Sequence, residues 1–295
     1  MYALFHKIQR HTKSESTFAI GSPALIWQIV FFYLPLCLMV LSSIFILSEE
    51  GSFQGLSLQN FAPLFSLSHL SVIFSSISLA FSASLICLVI AYPLAHFIAF
   101  KAGRAKTLML FFLIVPFWTN FLLHVYAWFF VLEREGFLNT ILLKMGLISE
   151  PIHFLNSTFA ILLMMVYCYL PFMVLPIFSN LERFDRKFLE VSDDLGASWF
   201  TTFKKVLLPI TLPAVRAGFF LVFIPAFGEF IIPELMGGDK TYFVGNVVSQ
   251  YILGNKTGGL GAAFMVLSCF ALVIAVACIY FGFKKLGKML LKGMS

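Results

Sequence analysis

The chain has 295 residues, of which 60% are hydrophobic and only 12% are charged. An average soluble domain is about 45–50% apolar and about 25% charged, so a soluble core has no room for this many apolar side chains. The composition excludes an ordinary soluble domain and predicts an integral membrane protein. The net charge of +6 raises the alternative of a nucleic-acid partner, but the placement of the charges argues against it.

Six apolar stretches are long enough to cross a membrane, since a spanning helix needs about 20 predominantly apolar residues. In chain order they are Pro23–Leu47, Ser71–Phe100, Thr107–Leu132, Thr158–Ser179, Leu212–Leu235 and Gly261–Phe283. The first stretch is longer than the apolar region of a signal peptide, which has about 7–15 residues, so we expect it to remain as a span. The pattern predicts an all-α membrane protein with about six transmembrane helices.

The basic residues are distributed unevenly between the two sides of these spans. One side holds 16 of the 20 lysine and arginine residues. The other side holds Arg134, Lys144, Lys240 and Lys256. Because cytoplasmic loops carry the excess of positive charge, both termini of this multi-pass protein are predicted to be cytoplasmic, without a nucleic-acid partner. The predicted organisation is a cytoplasmic segment at 1–22, a membrane domain at 23–283 and a basic tail at 284–295.

The five cysteines all lie inside apolar runs, and no two of them have C-x-x-C spacing. We predict that they are small buried apolar residues rather than disulfide partners or metal ligands. The sequence gives no reason to expect a metal site or a cofactor.

The long inner loop at about 180–211 has the pattern of two short helices joined by a tight turn. Apolar residues alternate with charges at helical spacing up to Gly196, which is placed to end the first helix in a left-handed conformation. Ser198 is placed to cap the second helix. We expect Pro209 and Pro213 to stop that helix before span five begins.

This loop resembles the EAA loop of ABC importer permeases, whose pattern is Glu-Ala-Ala, three residues, Gly-Ala-Ser, then a Phe and a Leu-Pro. Val191 and Ser192 stand where the pattern has its two alanines. In that family the loop forms the coupling helix, which seats in a groove on the ATP-binding subunit. The resemblance implies an ATPase-coupling role for Glu190, Asp194, Gly196, Ala197, Ser198, Phe203, Leu208 and Pro209.

The sequence contains no nucleotide-binding motif of its own. A P-loop needs G-x-x-x-x-G-K-[ST], and the nearest fragment, from Gly254 to Thr257, breaks that spacing. We therefore predict that the chain is not an enzyme and that a separate ATP-binding subunit hydrolyses ATP. The resemblance implies two such subunits, a second related permease and an extracytoplasmic substrate-binding protein as partners.

Further motifs, from about Trp27 onward, resemble the PotB-type branch of the spermidine/putrescine permease family. They are Tyr92–Ala95, Pro116–Asn120, Tyr126–Trp128, Gly136–Asn139, Tyr167–Pro176, Phe223–Phe230 and Pro233–Gly238. His124 stands where that family has an arginine. The resemblance implies the fold of a type I ABC importer permease and polyamines as the transported substrate.

A pathway for polyamines, which are flexible polycations, needs carboxylates and aromatic faces. Glu229 lies within predicted span five, where an ionisable side chain is costly and indicates a functional site. The candidate translocation pathway comprises Trp118, Asn120, Tyr126, Trp128, Tyr167, Tyr169, Glu229 and Glu234. In the alternative interpretation Glu229 bonds a broken helix or a partner subunit, the aromatic residues form an interfacial belt, and Asn120 bridges two helices.

Three other functions are compatible with parts of the sequence. Type I importers of ferric iron, sulfate, thiamine or opines share the EAA loop, so the loop does not identify the substrate. An ion-driven secondary transporter would need no ATPase, but the sequence shows no inverted repeat and the long inner loop would have no role. An intramembrane enzyme would need paired carboxylates, a Ser/His pair or an H-E-x-x-H at membrane depth, and we find no such catalytic residues.

Overall fold

The computed structural model describes residues 21–47, 53–238, 242–254 and 258–292. Most of the predicted cytoplasmic segment at 1–22 lies outside the described residues, as do Lys240 and Lys256. The described elements are, in chain order, α1 (Gly21–Ile44), β1 (Phe45–Leu47), β2 (Phe53–Leu56), α2 (Leu67–Phe100), α3 (Lys106–Trp118), α4 (Phe121–Leu132), α5 (Phe137–Lys144), α6 (Thr158–Glu182), α7 (Lys187–Asp194), α8 (Trp199–Phe227), α9 (Ile231–Gly237), α10 (Val244–Ser249) and α11 (Gly258–Lys292).

Five of these helices, α1, α2, α6, α8 and α11, are long and apolar enough to cross a membrane. The consecutive helices α3 and α4 together supply a sixth span if the bent pair counts as one. The prediction of about six spans is therefore confirmed. Helix α11 continues to Lys292, so the first residues of the predicted basic tail at 284–295 extend the last helix, and the cytoplasmic position of this tail stays a prediction.

Span three is broken, and the prediction of one continuous helix over Thr107–Leu132 is wrong. Helix α3 ends at Trp118, α4 begins three residues later, and the two segments meet at 95°. Pro116 lies in the last turn of α3, and Asn120 is extended and accepts a hydrogen bond from the N–H of Leu122 at 2.9 Å. A proline followed by a capping side chain ends one helix and starts the next.

Span five begins much earlier than the predicted Leu212–Leu235. Helix α8 starts at Trp199 and includes both Pro209 and Pro213, so the prediction that these prolines stop a short helix is wrong. The segment Phe203–Leu207 is π-helical and lies immediately before the first turn that holds Pro209. A π-helical turn is wider than an α-helical turn, so it accommodates Pro209, which has no N–H to donate, and the helix continues.

The described residues fall into two compact units. The first comprises the chain up to Phe65 together with Tyr251–Val266, and it contains α1 and the antiparallel pair β1–β2. Within it the side-chain amide of Asn60 donates to the carbonyl oxygens of Ser43 and Phe45 at 3.0 and 3.2 Å. These bonds hold the loop after the strand pair against the end of α1.

The second unit comprises Ser66–Gln250 and the chain from Leu267 onward. Its core forms where α2, α6 and α8 pack against one another. Ala83 and Ala91 of α2 are fully buried, and Gly218 of α8 lies so close to Met173 of α6 that a Cβ there would be 3.0 Å from the Met173 sulfur. Small residues at these positions allow the close helix approach that stabilises membrane proteins.

The cysteines only partly follow the prediction. All five are free, and Cys87 is buried in the core, as expected. Cys37, Cys269 and Cys278 are exposed on the apolar surfaces of the spans, so the prediction that they are buried is wrong. Cys168 is half-buried and lines the cavity described below.

Candidate functional site

Helix α7 and the start of α8 form the predicted helix, turn and helix, which we call the coupling segment (residues 187–208). Gly196 has a φ of +72°, so the glycine ends α7 in the left-handed conformation as predicted. The N–H of Ala197 reaches back to the carbonyl oxygen of Ser192 at 3.1 Å. Ser198 is extended and its hydroxyl accepts from the N–H of Thr201 at 3.4 Å, which caps α8.

Two further contacts hold the coupling segment together and attach it to α2. The hydroxyls of Ser192 and Thr202 are 2.7 Å apart and both side chains are buried, which joins α7 to α8 across the turn. The ring of Phe203 stacks on Trp199 at 5.5 Å and meets the ring of Tyr92 edge-on at 5.3 Å. The two helices of the segment are therefore packed together, and Phe203 contacts α2.

The coupling segment presents an apolar surface to its surroundings. Besides Trp199, four large apolar side chains on it are more than half exposed: Phe188, Val191, Leu195 and Phe200. We call these four residues the coupling surface. Glu190 and Asp194 lie on the same helix and are also exposed. A contiguous apolar patch with charged neighbours is typical of a protein–protein interface.

Span five breaks between Phe227, where α8 ends, and Ile231, where α9 begins. Glu229 lies in this break, as in the alternative interpretation in which it bonds a broken helix. One carboxylate oxygen accepts from the N–H groups of Phe230 and Ile231, both at 3.1 Å, and the other accepts from the Tyr169 hydroxyl at 2.7 Å. Glu229 thus satisfies N–H groups that the start of α9 leaves without a helical partner.

The breaks in spans three and five lie on either side of one cavity of about 470 Å³, with α6 as its third wall. Its polar lining comes from Thr119, His124, Tyr167, Tyr169 and Glu229. The remaining lining is mostly proline, phenylalanine and aliphatic side chains. A mostly apolar cavity with a few converging polar groups, in the size range of about 300–1,000 Å³, is typical of a small-molecule site.

His124 is the main residue of this cavity that the sequence analysis did not place in the pathway. Its Nδ1 lies 3.1 Å from the Tyr167 hydroxyl, and its Nε2 is hydrogen-bonded to the Thr119 hydroxyl. The Tyr167 ring in turn meets the ring of Trp128 edge-on at 5.6 Å. The sequence signal for this position was that His124 stands where the spermidine/putrescine permease family has an arginine. Among the described residues, no group of three or more His, Cys, Asp or Glu side chains could hold a metal ion.

The other predicted pathway residues lie elsewhere. Trp118 is 76% exposed and Tyr126 is 50% exposed, and neither lines the cavity, which fits the alternative of interfacial aromatic residues. Asn120 caps α4 instead of bridging two helices. Glu234 is exposed on α9 and accepts from the side-chain amide of Asn246 at 2.5 Å, which ties α9 to α10.

Of the eight predicted residues, the cavity brings together Tyr167, Tyr169 and Glu229, with Trp128 beside them.

A second groove, of about 600 Å³, runs along α2 and was not predicted. Hydroxyl side chains spaced three or four residues apart on one helix face line it: Ser68, Ser71, Ser75, Ser78 and Ser82. Thr158 and Tyr242 add two more hydroxyls. The sequence signal for this groove was the spacing of the serines within an apolar span, because residues three or four apart lie on one face of a helix. Such a face offers hydrogen-bond acceptors to a ligand with N–H groups, which aliphatic side chains do not.

Comparison with known proteins identifies close relatives. Residues 88–286 match the family described as binding-protein-dependent transport system inner membrane component. The chain is 39% identical over 239 residues to the spermidine/putrescine transport system permease protein PotB of Salmonella typhimurium, which covers 80% of this chain and 83% of that protein. It is 36% identical over 266 residues to PotB of Haemophilus influenzae, which covers 90% of this chain and 91% of that protein.

A solved structure of a bacterial ABC transporter involved in the import of the acidic polysaccharide alginate has the same fold. The TM-score is 0.71 at 16% sequence identity, over 97% of this chain and 99% of that chain. At this identity the likeness shows the fold alone, and it confirms the predicted all-α permease fold. Because the family match covers more than half of the chain, the chain belongs to the family of binding-protein-dependent transport system inner membrane components.

Proposed function

We propose that the chain is the membrane-spanning permease subunit of an ABC importer that brings polyamines such as spermidine and putrescine into the bacterial cytoplasm. The observation that carries this proposal is the cavity in which the Glu229 carboxylate lies beside the rings of Tyr167 and Tyr169. Ammonium groups bind carboxylates and the faces of aromatic rings. The similarity to PotB proteins over most of the chain supports the same substrate class.

The Glu229 carboxylate has capacity left for a substrate. It accepts three hydrogen bonds within the chain, from the N–H groups of Phe230 and Ile231 and from the Tyr169 hydroxyl. An ionised carboxylate has about four acceptor positions, so one position stays open to an ammonium group. The structural and the transport interpretations of Glu229 are therefore compatible, since the same side chain caps α9 and faces the cavity.

Partner subunits follow from the exposed surfaces and the family. The coupling surface fits a groove on an ATP-binding subunit, with Glu190 and Asp194 available for charge pairing. The proposed assembly contains two ATP-binding subunits that hydrolyse ATP, a second related permease and an extracytoplasmic binding protein. The excess of lysine and arginine on one side supports a cytoplasmic position for both termini and for the coupling surface.

Helix α8 provides the physical connection between the two functional regions. It runs from Trp199 in the coupling segment to Phe227, next to Glu229, and its 29 residues correspond to about 43 Å. Nucleotide-driven closure of the ATP-binding subunits would displace the coupling surface, and the helix would carry that displacement to the cavity. Rigid-body movement of packed helices of this kind switches a pathway between two access states.

The direct test is uptake of radiolabelled spermidine and putrescine into proteoliposomes that hold the purified importer, with ATP inside and the binding protein outside. We expect accumulation that depends on ATP, is competed by unlabelled polyamine and is absent with a non-hydrolysable nucleotide. If the complex hydrolyses ATP but accumulates neither polyamine, the substrate proposal is wrong. Ferric iron, sulfate, thiamine and opines would then be tested in the same assay.

A further inference from the structure

A third groove, of about 530 Å³, lies between α2, the coupling segment and α8. It shares no lining residue with the cavity around Glu229. Its walls are mainly apolar or aromatic and include Val89, Phe97, Trp199 and Phe203. Lys101, the residue that follows the last residue of α2, also lines it.

The surface of this groove has the character of a lipid contact. Val89 and Trp199 are each 66% exposed, so the chain itself leaves large apolar side chains uncovered in a membrane-spanning segment. Lys101 is exposed and adds a positive charge, and no acidic side chain is among the residues that line the groove. An apolar channel with one cation complements a molecule that has an apolar chain and an anionic group.

The length of the groove supports the same assignment. Its lining residues on α2 run from Leu88 to Lys101, which corresponds to about 20 Å of helix. A bilayer with its headgroups is about 40–45 Å thick, so this length matches one leaflet. Lys101 ends the helix, where the headgroup region lies, and Trp199 belongs to a residue type that is enriched at that interface.

We propose that this groove binds an acyl chain of an anionic phospholipid, with Lys101 contacting the phosphate. The leaflet is the one that faces the ATP-binding subunits, so the proposal rests on the orientation given above but not on the identity of the transported substrate. Trp199 and Phe203 form one wall, and the contact of the Phe203 ring with Tyr92 attaches the coupling segment to α2. The bound lipid would stabilise that attachment.

The experiment is photo-crosslinking from inside the groove of the assembled importer. A benzophenone amino acid replaces Phe97, and the complex is reconstituted into phosphatidylcholine vesicles that contain a minority of phosphatidylglycerol. Mass spectrometry of the irradiated chain then gives the ratio of the two lipid adducts. We expect phosphatidylglycerol adducts to exceed their share of the vesicle lipid about fivefold, the size of one lysine contact with an anionic lipid.

Matched variants assign the selectivity to the lysine. Lys101→Gln should return the adducts to the bulk lipid ratio, whereas Lys101→Arg should keep the enrichment. Lys187→Gln is the control, because this lysine begins α7 and does not line the groove.

Two results would overturn the proposal. Adducts in the bulk ratio with unchanged Lys101 would show that the groove faces lipid without selecting it. Crosslinks to a neighbouring subunit would show that a protein covers the groove. Neither readout uses transport, so the polyamine proposal and this proposal fail independently.

Discussion

The coupling segment and the cavity around Glu229 are held together over different distances along the chain. In the coupling segment the buried hydroxyl pair joins Ser192 to Thr202, ten residues apart. In the cavity the Tyr169 hydroxyl bonds Glu229 across 60 residues, and the Tyr167 hydroxyl bonds His124 across 43. The first region therefore keeps its shape when helices move, whereas the second changes whenever α4, α6 and α9 shift against one another.

This difference suits the two regions to different tasks. Local contacts close the turn of the coupling segment and the Phe203–Tyr92 contact attaches it to α2, so we expect the segment to transmit a displacement without absorbing it. A cavity built from long-range contacts responds to that displacement, because its hydrogen-bond partners sit on separate helices. Substitutions that remove a local contact in the coupling segment, or a long-range contact in the cavity, test whether the two regions have these different tasks.

The largest effect is expected from Gly196→Pro in the coupling segment. Gly196 needs a φ of +72° and its N–H donates to the Asp193 carbonyl oxygen at 2.9 Å, whereas proline fixes φ near −65° and has no N–H. We expect polyamine uptake to fall at least about 100-fold, since the turn that presents the coupling surface is lost, while the chain still inserts. Uptake and ATP hydrolysis are measured in proteoliposomes.

The control is Gly196→Asn, because asparagine tolerates the left-handed region and a side chain here meets no atom within 4 Å. This variant should keep most of the uptake. If Gly196→Pro transports normally, the turn is not needed for coupling, and the proposal that the coupling segment passes its displacement to the cavity is wrong.

An intermediate effect is expected from Glu229→Gln in the cavity. Glutamine has no negative charge and replaces one acceptor oxygen with an NH2 donor, so the Tyr169 hydroxyl loses the carboxylate acceptor while the remaining oxygen can still accept from the N–H groups at the start of α9. Hydrogen bonds to a charged group contribute about 1.5–3 kcal/mol, and we expect uptake to slow about tenfold. Initial uptake rates against polyamine concentration measure this.

The matched variant is Tyr169→Phe, which removes the hydroxyl and keeps the ring. If Glu229 only caps α9, Glu229→Gln and Tyr169→Phe should lower the melting temperature of the complex and leave uptake by the folded fraction unchanged. If Glu229 also binds substrate, Glu229→Gln should raise the polyamine concentration needed for half-maximal uptake. An unchanged concentration dependence would contradict the pathway role.

The same local and long-range contacts explain what could be predicted from the sequence. The turn at Gly196 and the cap at Ser198 follow from residue types and their immediate neighbours, and both predictions are confirmed. The apolar stretches likewise predicted the spans, because a membrane requires a fixed length of apolar helix. These features depend on rules that act within a few residues.

Hydropathy does not locate the breaks in spans three and five, and a broken helix at Glu229 was only the alternative interpretation of the sequence. Pro116 and Pro171 are both prolines within apolar stretches, but α3 ends soon after Pro116 whereas α6 continues through Pro171. The difference lies in the capping Asn120 and in the contacts of the surrounding helices. The pairing of Tyr169 with Glu229 likewise depends on how α6 and α8 pack, which no single-helix pattern contains.

The smallest effect is expected from a long-range contact beside the coupling segment, the ion pair between Lys106 and Glu182. The two charged atoms are 2.6 Å apart, but the side chains are 28% and 44% exposed. Solvent-exposed ion pairs contribute about 0–1 kcal/mol, so Glu182→Gln should lower the melting temperature of the complex slightly and change uptake less than about twofold. The shift should disappear at high salt, since exposed charges are screened there. A loss of uptake as large as that of Glu229→Gln would instead place this pair in the coupling path, and the coupling segment would then not be a locally stabilised unit.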